Sequence, residues 1–182
     1  MSKVDKWMKK NRTQLSAVLG LVFLALAHPR PGTLLLGLLF IIPGESLRIW
    51  SSGYIRKNEM LSTTGPYSLS RNPLYVGSFI MGVGFIISMG VVWMAFLFFV
   101  FFTGVYWFTI RWEEDKLERR FSEDWERYRN TTPRLVPLLR IPEYHGGDFA
   151  WQQVHKNREF YNAGVVLLVY ALLWGKAALY GA

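Results

Sequence analysis

From residue 88 to residue 110 the chain carries no charged side chain, and the stretch includes WMAFLFFVFFTGVYWF. A helix at a protein–water surface keeps one polar face, and this run has none; its length also reaches the ~20 residues that cross a hydrocarbon layer. A water-soluble domain is thereby excluded and a membrane-spanning helix expected. Composition agrees without deciding the matter, because 51% hydrophobic residues in 182 is a share that soluble proteins also reach.

Four more apolar blocks can be read beside it. Residues 13 to 27 form the first, behind the basic front Lys3, Lys6, Lys9, Lys10 and Arg12, and end at HPRPG. Two prolines and a glycine there make a turn, and a poor cleavage site for a signal peptide, so a retained helix is expected. The second block, 33 to about 50, carries Pro43, Gly44, Glu45 and Arg48 in its second half, and such charges must face protein or water rather than lipid. The third runs from about 75 to 89 and the fourth from about 91 to 110, with Gly90 at the break. The last covers 163 to 179. The fold expected is all-α, an integral membrane protein of about five transmembrane helices in a single domain over 1–182.

Basic residues collect on cytoplasmic loops. Five lie in the N-terminal tail, four between Arg48 and Arg71 and ten between Arg111 and Arg158, against Arg30 on the other side. An N-inside, multi-pass arrangement follows, with these clusters on the cytoplasmic face. Positive charge so placed fits a bilayer with anionic lipid and no nucleic acid, and nothing points to a protein partner. The absence of cysteine excludes disulfides, thiolate zinc sites and cysteine nucleophiles. His28, His145 and His155 share no spacing, so no metal site is expected, and Gly146-Gly147 reads as a loop.

Two polar stretches stand out against this background. GPYSLSRNPLYVG, from Gly65 to Gly77, sits at the mouth of the third span: Gly65 and Pro66 set a turn, Arg71 offers a forked cation, Pro73 starts a helix, and Tyr67 and Tyr75 add aromatic faces. Positive-inside anchoring would account for Arg71 and interfacial placement for the tyrosines equally well. Directly after the fourth span comes RWEEDKLERRFSEDWERYRNTTPRLVP. Trp112, Leu117, Phe121, Trp125 and Tyr128 form one apolar stripe, as expected of a helix lying on the membrane. That leaves Glu113 and Glu114 unexplained, since carboxylates at a hydrocarbon boundary are costly unless they meet a cation.

Together these residues carry a resemblance. Gly65-Pro66-Tyr67, then Arg71-Asn72-Pro73-Leu74-Tyr75-Val76-Gly77, then Glu113-Glu114, Leu117, Phe121, Tyr128 and the Pro-Arg-Leu-Val-Pro close resemble the isoprenylcysteine carboxyl methyltransferase family and its bacterial and archaeal relatives. Gly44, Leu47 and Arg48 are similar to that family's Gly-x-x-Leu-Arg pattern, so residues 44–137 are the motif-bearing core and 138–182 a C-terminal extension. Phospholipid methyltransferases share a similar ending. The family usually carries histidine where Asn72 stands, and asparagine does not titrate near neutrality, so no proton-transfer role passes to that position. Ser122 and Trp125 stand where Phe-Gly and a tyrosine are common.

The resemblance implies S-adenosylmethionine as cofactor and a lipophilic acceptor entering from the bilayer, either a prenylcysteine-like carboxylate or a lipid head group. It implies a cytoplasmic-side site built from the third and fourth spans and the segment after them. Glu113 or Glu114 would hold the cofactor's ammonium, Arg71 its carboxylate or the acceptor, and Tyr75 or Tyr67 the sulfonium through a cation–π contact. Thr64, Gly65, Pro66 and Tyr67, with Asn72 and Pro73, Tyr128 and the segment holding Pro133, would wall in the rest. Arg71 and Glu114 are the candidate catalytic pair. Gly77, Gly82 and Gly84 make a small-residue face for a neighbouring helix or an acyl chain. Two other classes stay open: a non-catalytic membrane scaffold, and a reductase on a related helical core, although no dinucleotide fingerprint is present. A phospholipid amine N-methyltransferase is a further alternative.

Overall fold

The computed structural model describes residues 3–56, 59–137 and 148–180, with side chains from Asn11 onward apart from a few positions. The loop expected at Gly146-Gly147, with His145, lies outside the described residues. Among the described residues seven helices follow in order: α1 Lys3–Leu26, α2 Pro31–Tyr54, α3 Pro66–Leu69, α4 Pro73–Met89, α5 Trp93–Thr131, α6 Trp151–Lys156 and α7 Glu159–Tyr180. No strand occurs among the described residues.

Among the described residues three helices are long and apolar enough to cross a membrane: Pro31–Tyr54, Trp93–Thr131 and Glu159–Leu179. Gln14–Leu26 and Pro73–Met89 are shorter apolar helices. The outward faces confirm the class, for Leu21, Leu39, Phe96 and Leu167 are each between 66% and 70% exposed. Large apolar side chains displayed around a bundle need lipid, not water, as solvent. This is an all-α membrane protein.

Local chemistry sets the ends. Proline opens α2, α3 and α4, where its missing N–H costs nothing and its fixed φ suits the first helical turn. Gly90 closes α4 at φ 70°, and a Cβ there would lie 2.5 Å from the His28 carbonyl oxygen. His28 N–H in turn donates to the Met89 carbonyl at 2.8 Å, so the α1–α2 turn is tied to the end of α4.

α2 and α4 run antiparallel with their backbones almost touching. A Cβ on Gly44 would sit 2.7 Å from Met81 N and 2.8 Å from the Gly77 carbonyl; one on Gly84 would sit 2.7 Å from the Gly37 carbonyl. Gly77 and Gly84 therefore take a neighbouring helix rather than an acyl chain, and Gly82 takes the ring of Phe98 on α5. Aromatic rings join α4 to α5, with Phe79 and Tyr75 meeting Phe98, Phe99, Phe102 and Tyr106 at centroid distances of 5.2 to 6.0 Å.

The C-terminal helix is a clamp on the first two. Tyr170 donates its hydroxyl to the Leu34 carbonyl at 2.9 Å, and Leu173 is fully buried beside Phe23, Ala27, Leu34, Met89 and Met94. The Lys176 ammonium caps the end of α1 through the Leu24 and Ala25 carbonyls at 2.9 and 2.6 Å, a cation where the helix dipole is negative. Lys176 thus adds a second basic residue to the side that the charge tally left to Arg30. At the opposite end Glu159 pairs with Arg48 at 2.6 Å, and Asn157 donates to the Ser52 and Ile55 carbonyls that end α2. The charges on α2 face protein, as their position demands.

The helix of the fourth span does not stop near residue 110. No proline or glycine interrupts the run from Arg111 to Thr131, and its residues are mostly good helix formers, so the helix continues. It bends at Ser122, whose backbone takes φ 28° and ψ −95°. A side chain at positive φ is strained, and glycine is not. The glycine common at this position in the resembling family has its reason here. Ser122→Gly should raise stability by roughly 0.5–1 kcal/mol, read as a higher unfolding temperature in detergent; an unchanged or lower temperature would contradict the strain.

Candidate active site

The turn before α4 is built to hold Arg71 in place. Gly65, at φ 58°, packs against the Tyr54 ring so closely that a Cβ would lie 2.5 Å from it. The Ser68 hydroxyl donates to the Gly65 carbonyl at 2.7 Å, closing the turn of α3. Buried Tyr67 accepts a hydrogen bond on its carbonyl from the Tyr128 hydroxyl at 2.7 Å, which ties this turn to the far end of α5. Burial, with Tyr128 adding to it, pushes the Tyr67 phenol well above its ordinary value. The strip 70–72 is then laced to the segment after α5: Arg71 N–H donates to the Pro133 carbonyl at 2.9 Å, and the Ser70 hydroxyl and the Asn72 amide both reach the Arg134 carbonyl, at 3.2 and 3.1 Å.

At the centre lies Glu114, only 7% exposed. Arg134 grips its Oε2 with two donors, Nη2 at 2.6 Å and Nε at 2.9 Å. Arg71 Nε lies 3.3 Å from Oε1, and the Asn72 amide donates to the same oxygen at 3.2 Å. Arg71 also donates from Nη1 to the Arg129 carbonyl at 3.1 Å and lies over the Trp125 ring; Arg134 lies over Trp107. Burial pulls the Arg71 guanidinium below its ordinary value while Glu114 pulls it back. The carboxylate therefore finds its cations inside the chain. Arg134 is a partner that the charge pattern did not reveal, since in the sequence it is one basic residue in a proline-bounded tail.

Glu113 goes elsewhere. Consecutive residues on a helix point about 100° apart, and that rotation carries Glu113 into a cavity of about 640 Å³. The cavity is lined from α5 by Val105, Tyr106, Thr109, Trp112, Glu113, Lys116, Leu117, Arg120 and Phe121, a face repeating every three or four residues. The apolar stripe expected to lie on the membrane surface thus turns inward: Trp112, Leu117, Phe121 and Tyr128 line the cavity, and Trp125 is buried beneath Arg71. The other wall comes from Tyr67, Arg71, Asn72, Leu74, Tyr75 and Ser78.

Of the residues named from the sequence, Tyr67, Arg71, Asn72, Tyr75, Glu113 and Tyr128 line this space. Glu114, Thr64, Gly65, Pro66, Pro73 and Pro133 are not among its lining residues, and the contacts of Glu114, Gly65 and Pro133 support the wall. Sequence reasoning missed Arg56, Lys116 and Arg120, and it did not place α2 at the site. Lys116 and Arg120 were findable by extending the helical period from Glu113. Arg48 reaches the cavity from α2 while donating to the Ser78 hydroxyl and pairing with Glu159 and, at 3.8 Å, with Glu45.

Comparison with known proteins gives the geometry a family. Over 110 residues the chain is 36% identical to the nickel-cobalt-cadmium resistance protein NccN of Alcaligenes xylosoxydans, covering 59% of this chain and 51% of that protein. It is also 36% identical over 126 residues to the cobalt-zinc-cadmium resistance protein CzcN of Cupriavidus metallidurans, covering 66% and 55%. The chain spans about half the length of these curated relatives. No solved structure matches. The family model for phospholipid methyltransferases matches residues 32–124, a stretch that runs from the start of α2 past the bend in α5 and includes Arg71, Glu113 and Glu114. With half of its length so matched, the chain belongs to the phospholipid methyltransferase family.

Proposed function

We propose that the protein transfers a methyl group from S-adenosylmethionine to a lipophilic acceptor held at the membrane, with the cavity between α2, α4 and α5 as the site. The observation that carries this reading is the position of Glu113: the one carboxylate among the cavity's lining residues, set beside cations and aromatic rings. The cofactor's amino-acid end carries an ammonium and a carboxylate, its sulfonium is cationic, and its adenine is flat. The lining supplies a partner for each. Glu113 would hold the ammonium; Lys116 and Arg120, one helical turn and two turns along, would hold the carboxylate. Tyr67 and Tyr75 would face the sulfonium, and Trp112 and Phe121 would flank the adenine. A volume of about 640 Å³ also lies within the roughly 300–1,000 Å³ typical of small-molecule sites.

When bound, the sulfonium supplies an electrophilic methyl group. What the chain contributes is placement: the network around Glu114 fixes Arg71 and the end of α5 beside reactants that must approach within about 3–3.5 Å in line. A carboxylate acceptor needs no base. An amine acceptor must also lose a proton. We also propose five membrane crossings with the N-terminus and the cavity on the cytoplasmic side, a reading supported by the basic residues gathered at the cavity end.

Calorimetric titration of the detergent-purified protein with S-adenosylhomocysteine tests the reading. The wild type should bind, and Glu113→Gln should weaken binding roughly tenfold to a hundredfold, the weight of a hydrogen bond to a charged group. No heat from a folded wild-type sample would overturn the methyltransferase reading and favour the scaffold.

A further inference from the structure

The α2 side of the cavity carries a charge that the cofactor does not need. Arg56, two residues beyond the end of α2, lines the space, and its Nε is buried with no hydrogen-bond partner. Nε of Arg48 and of Arg71 is likewise without a hydrogen bond, but those guanidiniums have ion pairs, with Glu159 and Glu114, and no ion pair of Arg56 is found among the described residues. A buried guanidinium nitrogen without an acceptor is costly, so such groups are retained where an anion completes them. The cofactor's own carboxylate has Lys116 and Arg120 on the α5 face. The lining also has apolar members, among them Leu74 on α4 and Val105 on α5.

Resting on the methyl-transfer reading above, we propose that Arg56 is a specificity-determining residue that binds an oxyanion on the acceptor's head group, a phosphate or a carboxylate, while the acceptor's tail lies toward Leu74 and Val105. The acceptor is then an anionic amphiphile, and a purely cationic or neutral head group would leave Arg56 unmatched. A planar fork of donors suits either oxyanion, and two probes separate them.

The test uses the full chain in a neutral detergent, titrated with dodecyl phosphate, with laurate and with dodecanol, and separately with S-adenosylhomocysteine. Wild type should bind one or both anionic probes and not dodecanol; the tighter of the two names the head group. Arg56→Ala should weaken that binding at least about tenfold, Arg56→Lys should recover part of it, and S-adenosylhomocysteine binding should be unchanged in both. Arg119→Ala, on the exposed face of α5, should bind the probes as wild type does. Equal binding of the anionic probes by wild type and Arg56→Ala would overturn the assignment. So would loss of S-adenosylhomocysteine binding in Arg56→Ala with the probes unaffected, which would hand Arg56 to the cofactor's carboxylate. Failure of the methyl-transfer reading has a different signature, namely no S-adenosylhomocysteine binding by any variant.

Discussion

Glu114→Gln should destabilise the protein by about 3–5 kcal/mol, the cost typical of removing one partner from a buried ion pair. The substitution keeps shape and one acceptor oxygen, so it isolates the charge. What remains is a pair of guanidiniums gathered around a neutral amide, and Arg71, with its side chain 8% exposed, has little water to fall back on. Arg134, at 32%, can relax outward. Against a total stability of about 5–15 kcal/mol the loss is large, and it should appear as a drop of many degrees in the unfolding temperature in detergent. Glu118→Gln is the matched control: its pair with Arg129 is more than half exposed on both sides, and such pairs are worth about 0–1 kcal/mol. A Glu114→Gln protein that melts with the wild type would show the network to be dispensable.

Gly44→Ala should be as damaging for an unrelated reason. The added methyl would come within 2.8 Å of Met81 N and of the Gly77 carbonyl oxygen, both backbone atoms that no rotamer change can move aside. The helices must separate, and the cost should exceed the roughly 1–3 kcal/mol of ordinary overpacking in a core. Gly104→Ala supplies the contrast, because nothing lies within 4 Å of its Cβ position on α5 and alanine is the better helix former by about 1 kcal/mol. Thermal unfolding of the two variants should move in opposite directions. If both rise together, the close approach of α2 and α4 is wrong.

Much of this architecture could be read from the order of residues. The apolar blocks lie where helices stand, because length and lack of charge suffice to place a span. The proximity of Arg71 to the Glu113-Glu114 pair was legible too, as an acid at a membrane edge needs a cation and the hairpin of the third and fourth spans brings one there. The division of labour within the acidic pair was not legible. It depends on the continuation of α5 through residue 131, on the bend at Ser122, and on the return of Arg134, none of which a charge count contains. Nor did Gly37 and Gly44 declare themselves as contact points, since a glycine in one apolar block says nothing about which other block meets it. The last span, unexplained by the resemblance, takes its meaning from three contacts distant in sequence: Glu159 with Arg48, Tyr170 with Leu34 and Lys176 with the end of α1.

The glycine contact between α2 and α4 also bears on motion. Where two helices meet backbone to backbone there are no side chains to rearrange, so the pair has one seating and travels as a single body, with α7 fastened across α2. The seam between α4 and α5 is made instead of rings, Phe79 and Tyr75 against Phe98, Phe102 and Tyr106, so its fit rests on side-chain torsions rather than on backbone contact. On the proposed reading, any widening of the cavity would therefore fall to the ring-bearing half of α5, since Glu114, Tyr128 and Arg134 hold the other half to the 67–72 strip.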